Sequence, residues 1–184
     1  MLRIDSLQGQ LLIAGATLPD PNFARTVVLI CEHTEDGALG LVLNRPGEMA
    51  LADGAPELAP LAGDQALIGE GGPVQPAALL VLAEFEDPEQ AGLRVIGPVG
   101  LMGDGSQIGD LVGEVRRARV FAGYAGWGPG QLDAELERED WFVAPAGIDD
   151  IFDADADELW QRVLARKGGH FALVARMPVD PSVN

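Results

Sequence analysis

Cys31 and His33 stand two residues apart in the run TVVLICEH, and a cysteine beside a histidine is the pairing that generates a thiolate nucleophile. On a strand such residues share a face. They also lie about 7 Å apart, too far for a direct hydrogen bond. A lone cysteine in an apolar strand serves equally well as a small hydrophobe. A metal would need further ligands, and the second histidine, His170, sits in a remote glycine-rich turn. No catalytic residue, metal ligand or cofactor site is therefore assigned.

Three other stretches offer binding chemistry. Asn44-Arg45-Pro46 closes an apolar run, which places an arginine where it can clamp an anion or pair with a carboxylate of this acidic chain. Gly71-Gly72-Pro73 can bring main-chain amides close to a ligand or make a tight turn between strands. The most demanding stretch is GYAGWGPGQLDAE, from Gly123 to Glu135. With Gly128 as N-cap, Pro129 falls at the first helical position and Gln131 at the third, from which its side chain reaches back to the cap amide. Trp127 and Leu132 then occupy the two positions of a hydrophobic staple. Asp133 and Glu135 follow near the positive end of the helix dipole. Gly123 and Gly126 are not required by this cap. Glycine there points to a positive φ or to close approach by a backbone or ligand. The spacing fits neither a Walker A loop nor a dinucleotide fingerprint, and no G-x-S-x-G or H-E-x-x-H signature occurs. The candidate ligand-binding set is Asn44, Arg45, Gly71, Gly72, Trp127 and Gln131, on condition that they converge on one pocket.

The elements that must position these residues are mostly short strands. Strands are predicted at residues 10–14, 26–33, 38–44, 65–68, 78–85, 93–96, 99–102, 120–124 and 141–143. Asp36-Gly37 between two apolar runs marks a hairpin. Its first strand is apolar on both faces (Val27, Leu29 and Cys31; Val28 and Ile30), which predicts a central position. Asp20 caps a short turn that opens with Pro21, after Pro19. Helices are predicted at residues 51–61, 108–117 and over a final segment. There Asp155 and Glu158 form a capping box, and Leu159, Trp160, Val163 and Leu164 make an apolar stripe. Arg166, Lys167 and Gly168 end that helix. Many strands with few helices predict an α+β fold, one domain over residues 1–184, around a mixed, largely antiparallel sheet.

Composition limits the function classes. Of 184 residues 47% are apolar, enough for a substantial core. No run is long and apolar enough to span a bilayer, and residues 1–5 lack a basic, apolar leader. A single cysteine suits a reducing cytoplasm. The net charge of −17 opposes phosphate backbones, and Arg116, Arg117 and Arg119 form the only tight basic cluster, so direct nucleic-acid binding is not expected. Between Asp133 and Glu158 stand eleven carboxylates and one arginine. This is a solvated face or, on the sharper reading, a docking surface for a basic protein partner.

Taken together, LLIAGATLPDPNFARTVVLICEH, GALGLVLNRP, GGPV and FAGYAGWGPGQLDAEL followed by Trp141 resemble, in order and spacing, the AlgH/YqgE family of bacterial proteins. The resemblance runs from Gly9 into the C-terminal helix. It implies a small, cytosolic, single-domain α+β protein with a strongly bent sheet flanked by helices. The family name reflects a suggested role in transcriptional regulation of alginate synthesis. Motif residues carried over are Asn44, Arg45, Pro46, Gly71, Gly72, Pro73, Gly123, Tyr124, Gly126, Trp127, Gly130 and Gln131; the resemblance supplies no catalytic residue. The expected function is a non-enzymatic regulatory or interaction protein acting through a protein partner. A small-ligand or enzyme site around Arg45, Gly71-Gly72 and Trp127–Gln131 is the alternative.

Overall fold

The computed structural model describes residues 5–15, 18, 20–104, 106, 108–153 and 156–177. The expectations for residues 1–4, Pro19 and the Asp155 cap lie outside them.

Ten strands form one sheet among the described residues: β1 (Gln10–Ala14), β2 (Val27–Thr34), β3 (Gly37–Val42), β4 (Pro46–Ala50), β5 (Leu67–Glu70), β6 (Val74–Phe85), β7 (Leu93–Ile96), β8 (Val99–Leu101), β9 (Val115–Trp127) and β10 (Trp141–Pro145). Their order is β10-β1-β2-β3-β9-β6-β8-β7, and β4 pairs with β5 beside this path. All pairs are antiparallel except β5 with β9. The helices are short: α1 (Leu51–Gly54), α2 (Ala59–Ala62), α3 (Ile108–Leu111), α4 (Gln131–Glu137), α5 (Ile148–Ile151), α6 (Leu159–Lys167) and α7 (His170–Val174). This is the mixed α+β class. The sheet bends until its β7 end meets the start of β1: Gln8 Nε2 donates to the Arg94 carbonyl at 2.7 Å, and a Cβ on Gly9 would sit 3.1 Å from the Val95 carbonyl oxygen.

The hairpin forms as the Asp-Gly signal predicts, with Thr34 opposite Gly37. Residues 27–31 of β2 are fully buried, between β1 and β3. One face packs Leu11, Ile13, Leu29, Cys31 and Leu41 against Leu159, Trp160, Val163 and Leu164 of α6. Burying each large apolar side chain of that stripe contributes about 1.5–3 kcal/mol. The opposite face packs Leu12, Val28, Ile30 and Val42 against Trp127, Leu132 and Trp141.

Several expectations need correction. The helix over residues 108–117 stops at Leu111; the chain turns at Gly113 (φ +89°), and residues from Val115 onward belong to β9. Pairing with β6, Val115 opposite Phe85 and Arg117 opposite Glu84, overrides the helical propensity of an arginine-rich run. The segment 51–61 is not one helix but two single turns joined by a 3₁₀ turn at Pro56–Leu58, as a proline and Gly54 dictate. Strand β4 was not expected, and β6 begins four residues earlier than predicted. His170 opens α7 rather than lying in a turn.

Between Glu70 and Val74 the chain passes from one edge of β9 to the other. β5 pairs with Phe121 and Ala122 on the edge shared with β3, and β6 takes the opposite edge. The crossing runs over Gly123 (φ +73°), where a Cβ would lie 2.4 Å from the Gly72 oxygen. A Cβ on Gly71 would lie 2.2 Å from the Gly123 oxygen, and one on Gly72 2.1 Å from the Tyr124 carbonyl carbon. Two main chains in contact require glycine at all three positions.

Candidate functional site

The predicted set divides. Asn44 continues the sheet with its side chain: Oδ1 accepts from Val27 N–H at 2.9 Å and Nδ2 donates to the Arg25 carbonyl at 2.9 Å. Arg45 donates to the carbonyls of Asn22, Pro21 (3.1 Å) and Ala24 (3.4 Å), so it fastens the 21–25 turn, whose start Asp20 holds through Asn22 N–H at 2.9 Å. Carbonyls, rather than the expected carboxylates, take up this guanidinium. Gly71 and Gly72 make the crossing described above. Arg45 and Gly72 line one cleft of about 370 Å³, whereas Trp127 and Gln131 line another of about 350 Å³. The turn at 20–25 contributes to both, Asn22 to the first and Asp20 and Phe23 to the second.

The helix start at Trp127–Gln131 keeps its chemistry but shifts its boundary. α4 begins at Gln131 after Gly130 in the left-handed conformation (φ +72°), not at Pro129, and Trp127 ends β9. Gln131 Oε1 still accepts from Gly128 N–H at 3.1 Å, the expected reach-back. Trp127 and Leu132 share one apolar cluster, as a staple requires.

Around this start lies a group that sequence reasoning missed. Glu135 Oε2 accepts from two indoles, Trp127 Nε1–H and Trp141 Nε1–H, both at 2.8 Å, and Oε1 accepts from the Gln131 amide at 3.0 Å. Phe23 joins the two indoles, with ring centroids 6.3 Å from Trp127 and 5.5 Å from Trp141; the two indoles meet edge to face at 6.1 Å. Glu135 lies one helical turn beyond Gln131, a spacing visible in the sequence. Its bond to Trp141, across the turn into β10, was not.

Gly126 and Trp127 also line a neighbouring cleft of about 510 Å³, together with Glu32, Asp36 and Tyr124. Arg138 and Asp140, bonded at 2.9 Å, border the cleft on the other side.

The cysteine and histidine point away from each other's chemistry. A β-bulge at Cys31 interrupts the pairing between Ile30 and Glu32, so the alternation slips. Cys31 packs in the α6-facing core and burial pushes its thiol up to about 12. His33 turns to the other layer, where its Nδ1 accepts from Leu7 N–H at 3.0 Å and its Nε2 lies 3.9 Å from Asp133 Oδ1. The two residues do not share a face.

Several of the late acids, Asp140, Asp149, Asp150 and Asp153, and the arginine cluster are drawn into pairs within the chain. Asp150 accepts both Arg166 nitrogens at 3.0 and 2.8 Å and Gly147 N–H at 3.0 Å. Burial pushes the Asp150 carboxyl up, but these bonds outweigh it and hold it below the ordinary range. Arg117 pairs with Glu84 at 2.8 Å and with Asp149 at 3.4 Å, Arg116 with Glu86 at 2.6 Å, and Arg162 with Asp153. Arg119 donates to the carbonyls of Ile151 and Leu43 at 2.8 Å, and burial lowers its guanidinium to about 10. Arg117 and Arg119, which look like a basic footprint, thus fasten the C-terminal segment to the sheet.

Fold and site define a class: a bent, helix-flanked α+β sheet with an acid-bordered aromatic corner on one face. The AlgH-like family model matches residues 11–172, and the chain belongs to that family. It is 42% identical to a UPF0301 protein of Streptomyces coelicolor, over 100% of this chain and 98% of the relative. It is 43% identical to one of Thermobifida fusca, over 97% and 96%. Among solved structures it resembles a protein of Corynebacterium diphtheriae (TM-score 0.85, 29% identity, 95% and 94% of the two chains). It also resembles the AlgH protein of Pseudomonas aeruginosa in solution (TM-score 0.69, 32% identity, 97% and 98%). No helix among the described residues is long and apolar enough to cross a membrane.

Proposed function

We propose that the protein acts by binding a basic protein partner, as a regulatory or interaction protein rather than an enzyme. The observation that carries this reading is the pair of clefts that share Gly126 and Trp127. Glu32 and Asp36 border one, and Asp20, Glu135 and Asp140 the other; among the described residues Arg138 is the one cation lining them, and it is already bonded to Asp140. An extended basic segment would meet carboxylates along both clefts. The net charge of −17 would steer such a partner inward and repel nucleic acid, so any influence on transcription runs through that partner. A single, deeply buried cysteine suits a cytoplasmic setting.

The test is fluorescence anisotropy with a labelled lysine- and arginine-rich peptide, beside an uncharged peptide of equal length. The basic peptide should bind selectively, weaken as salt rises, and weaken about tenfold or more in an E32Q/D36N double variant, for two charge contacts each worth roughly 1 kcal/mol. Equal binding of the uncharged peptide, or tight sequence-selective binding of duplex DNA, would overturn the reading.

A further inference from the structure

The corner formed by Phe23, Trp127 and Trp141 has an electrostatic peculiarity. Both indole N–H groups are spent on one oxygen of Glu135, so neither is free to meet a ligand. The rings stand at steep angles, Phe23 at 74° and Trp127 at 75° to Trp141, and all three line the cleft of about 350 Å³. Each of the three donors to Glu135 is neutral, so its oxygens are satisfied but its charge is not cancelled by them. Asp20, whose bond is to the neutral Asn22 N–H, adds a second carboxylate to the lining.

Such a corner offers aromatic surface, most of it at half-exposed Phe23 because Trp127 and Trp141 are 7% and 3% exposed, and a net negative lining of Asp20, Glu135 and Asp140 against Arg138, which is bonded to Asp140. A bare ammonium would lose its water and find both oxygens of Glu135, the carboxylate beside the indoles, already bonded. A cation whose nitrogen carries carbon instead of hydrogen needs no acceptor; it needs ring faces and a nearby negative charge. We propose that this cleft binds an alkylated ammonium group. The inference rests on the reading of this face as a binding surface and specifies what enters it. Such a group belongs either to a free small molecule or to a methylated lysine of the partner.

The test follows the indole N–H signals of ¹⁵N-labelled protein. Trp160, bonded to the Ala14 carbonyl beneath α6, is the internal control. Choline should shift the Trp127 and Trp141 signals saturably and leave Trp160 in place. Its uncharged carbon isostere, 3,3-dimethyl-1-butanol, should bind at least about tenfold more weakly. E135Q keeps an oxygen for the indoles and removes the charge, and should weaken choline by a similar factor with the near-UV circular dichroism retained. F23L removes one wall at a half-exposed position and serves if E135Q does not fold. A trimethyllysine peptide that binds about tenfold tighter than its unmodified twin assigns the group to a partner. Equal peptides with saturable choline binding assign it to a small molecule. Absence of any saturable shift with choline and trimethyllysine, or equal binding of the isostere, overturns the proposal. If the basic peptide binds while neither choline nor trimethyllysine shifts the indole signals, this inference fails and the docking reading stands. If choline binds and no basic peptide does, the docking reading fails instead.

Discussion

Asp150 and Glu135 are carboxylates on opposite faces of the same sheet, and they are satisfied in opposite ways. Asp150 is clamped by Arg166 and Gly147 N–H, and its charge is cancelled where it sits. Glu135 takes three neutral donors and keeps its charge. Around Asp150 the layer is a lattice of matched ions: Arg117 of β9 pairs with Glu84 of β6 and with Asp149 of α5, and Arg162 of α6 pairs with Asp153 just beyond α5. Around Glu135 the layer is aromatic, and the arginine of the same cleft, Arg138, is bonded to Asp140 instead. The same residue type therefore builds scaffold on one side and a charged cleft on the other. The difference lies in the donors, not in the acid.

Substitutions can break or sharpen this contrast. The largest effect is expected for Trp127→Ala. That side chain is 7% exposed and holds both the apolar cluster and one indole bond, so urea unfolding should show a loss of about 3–5 kcal/mol. Next comes Asp150→Asn, which leaves Arg166 without its counter-charge. Because the Arg166 side chain is 51% exposed, water screens part of the loss, and about 2 kcal/mol is expected. This variant also carries a pH signature. A carboxyl held low in the fold stabilises above its unfolded value of about 3.9 and loses that contribution as pH falls through its lowered folded value. Urea midpoints of the native protein should therefore drop below about pH 4, and Asp150→Asn should lack that component. Glu135→Gln is the mildest, about 1 kcal/mol, since an amide oxygen still accepts from the indoles. If Glu135→Gln proved costlier than Asp150→Asn, the contrast between a structural and a functional acid would be lost.

Much of the scaffold side is legible from local pattern. The Asp36-Gly37 hairpin, the two-faced apolar β2 and the α6 stripe each announce themselves within a few residues. The Gln131 reach-back is equally local. What is not legible depends on distant partners. Val115–Trp127 becomes a strand because β6, some thirty residues earlier, lies beside it, and nothing within 108–117 reveals that pairing. β4 begins with Pro46-Gly47, a poor strand signal rescued by β5. The bulge at Cys31 breaks an alternation that the sequence displays as regular. Gly123 shows the positive φ and close backbone approach that its sequence allowed, but that its partner is Gly71-Gly72, the other half of one crossing, is not legible locally. Glu135 reads as a dipole partner because its bond to Trp141 spans a helix and a turn.

That crossing bears on how the molecule comes apart and together. The 70–74 segment lies across β9 while β5 and β6 hold its two edges. During synthesis the segment emerges some forty residues before the strand it must straddle, so it has no template until β9 arrives. Closure of this loop then waits on a non-local encounter, which slows folding. Once formed, β9 cannot slide out along its own axis without parting ladders on both sides and lifting the strap at Gly123. The fold is thus protected by the height of its exit barrier as well as by its depth, a kinetic safeguard built from three residues that carry no side chain.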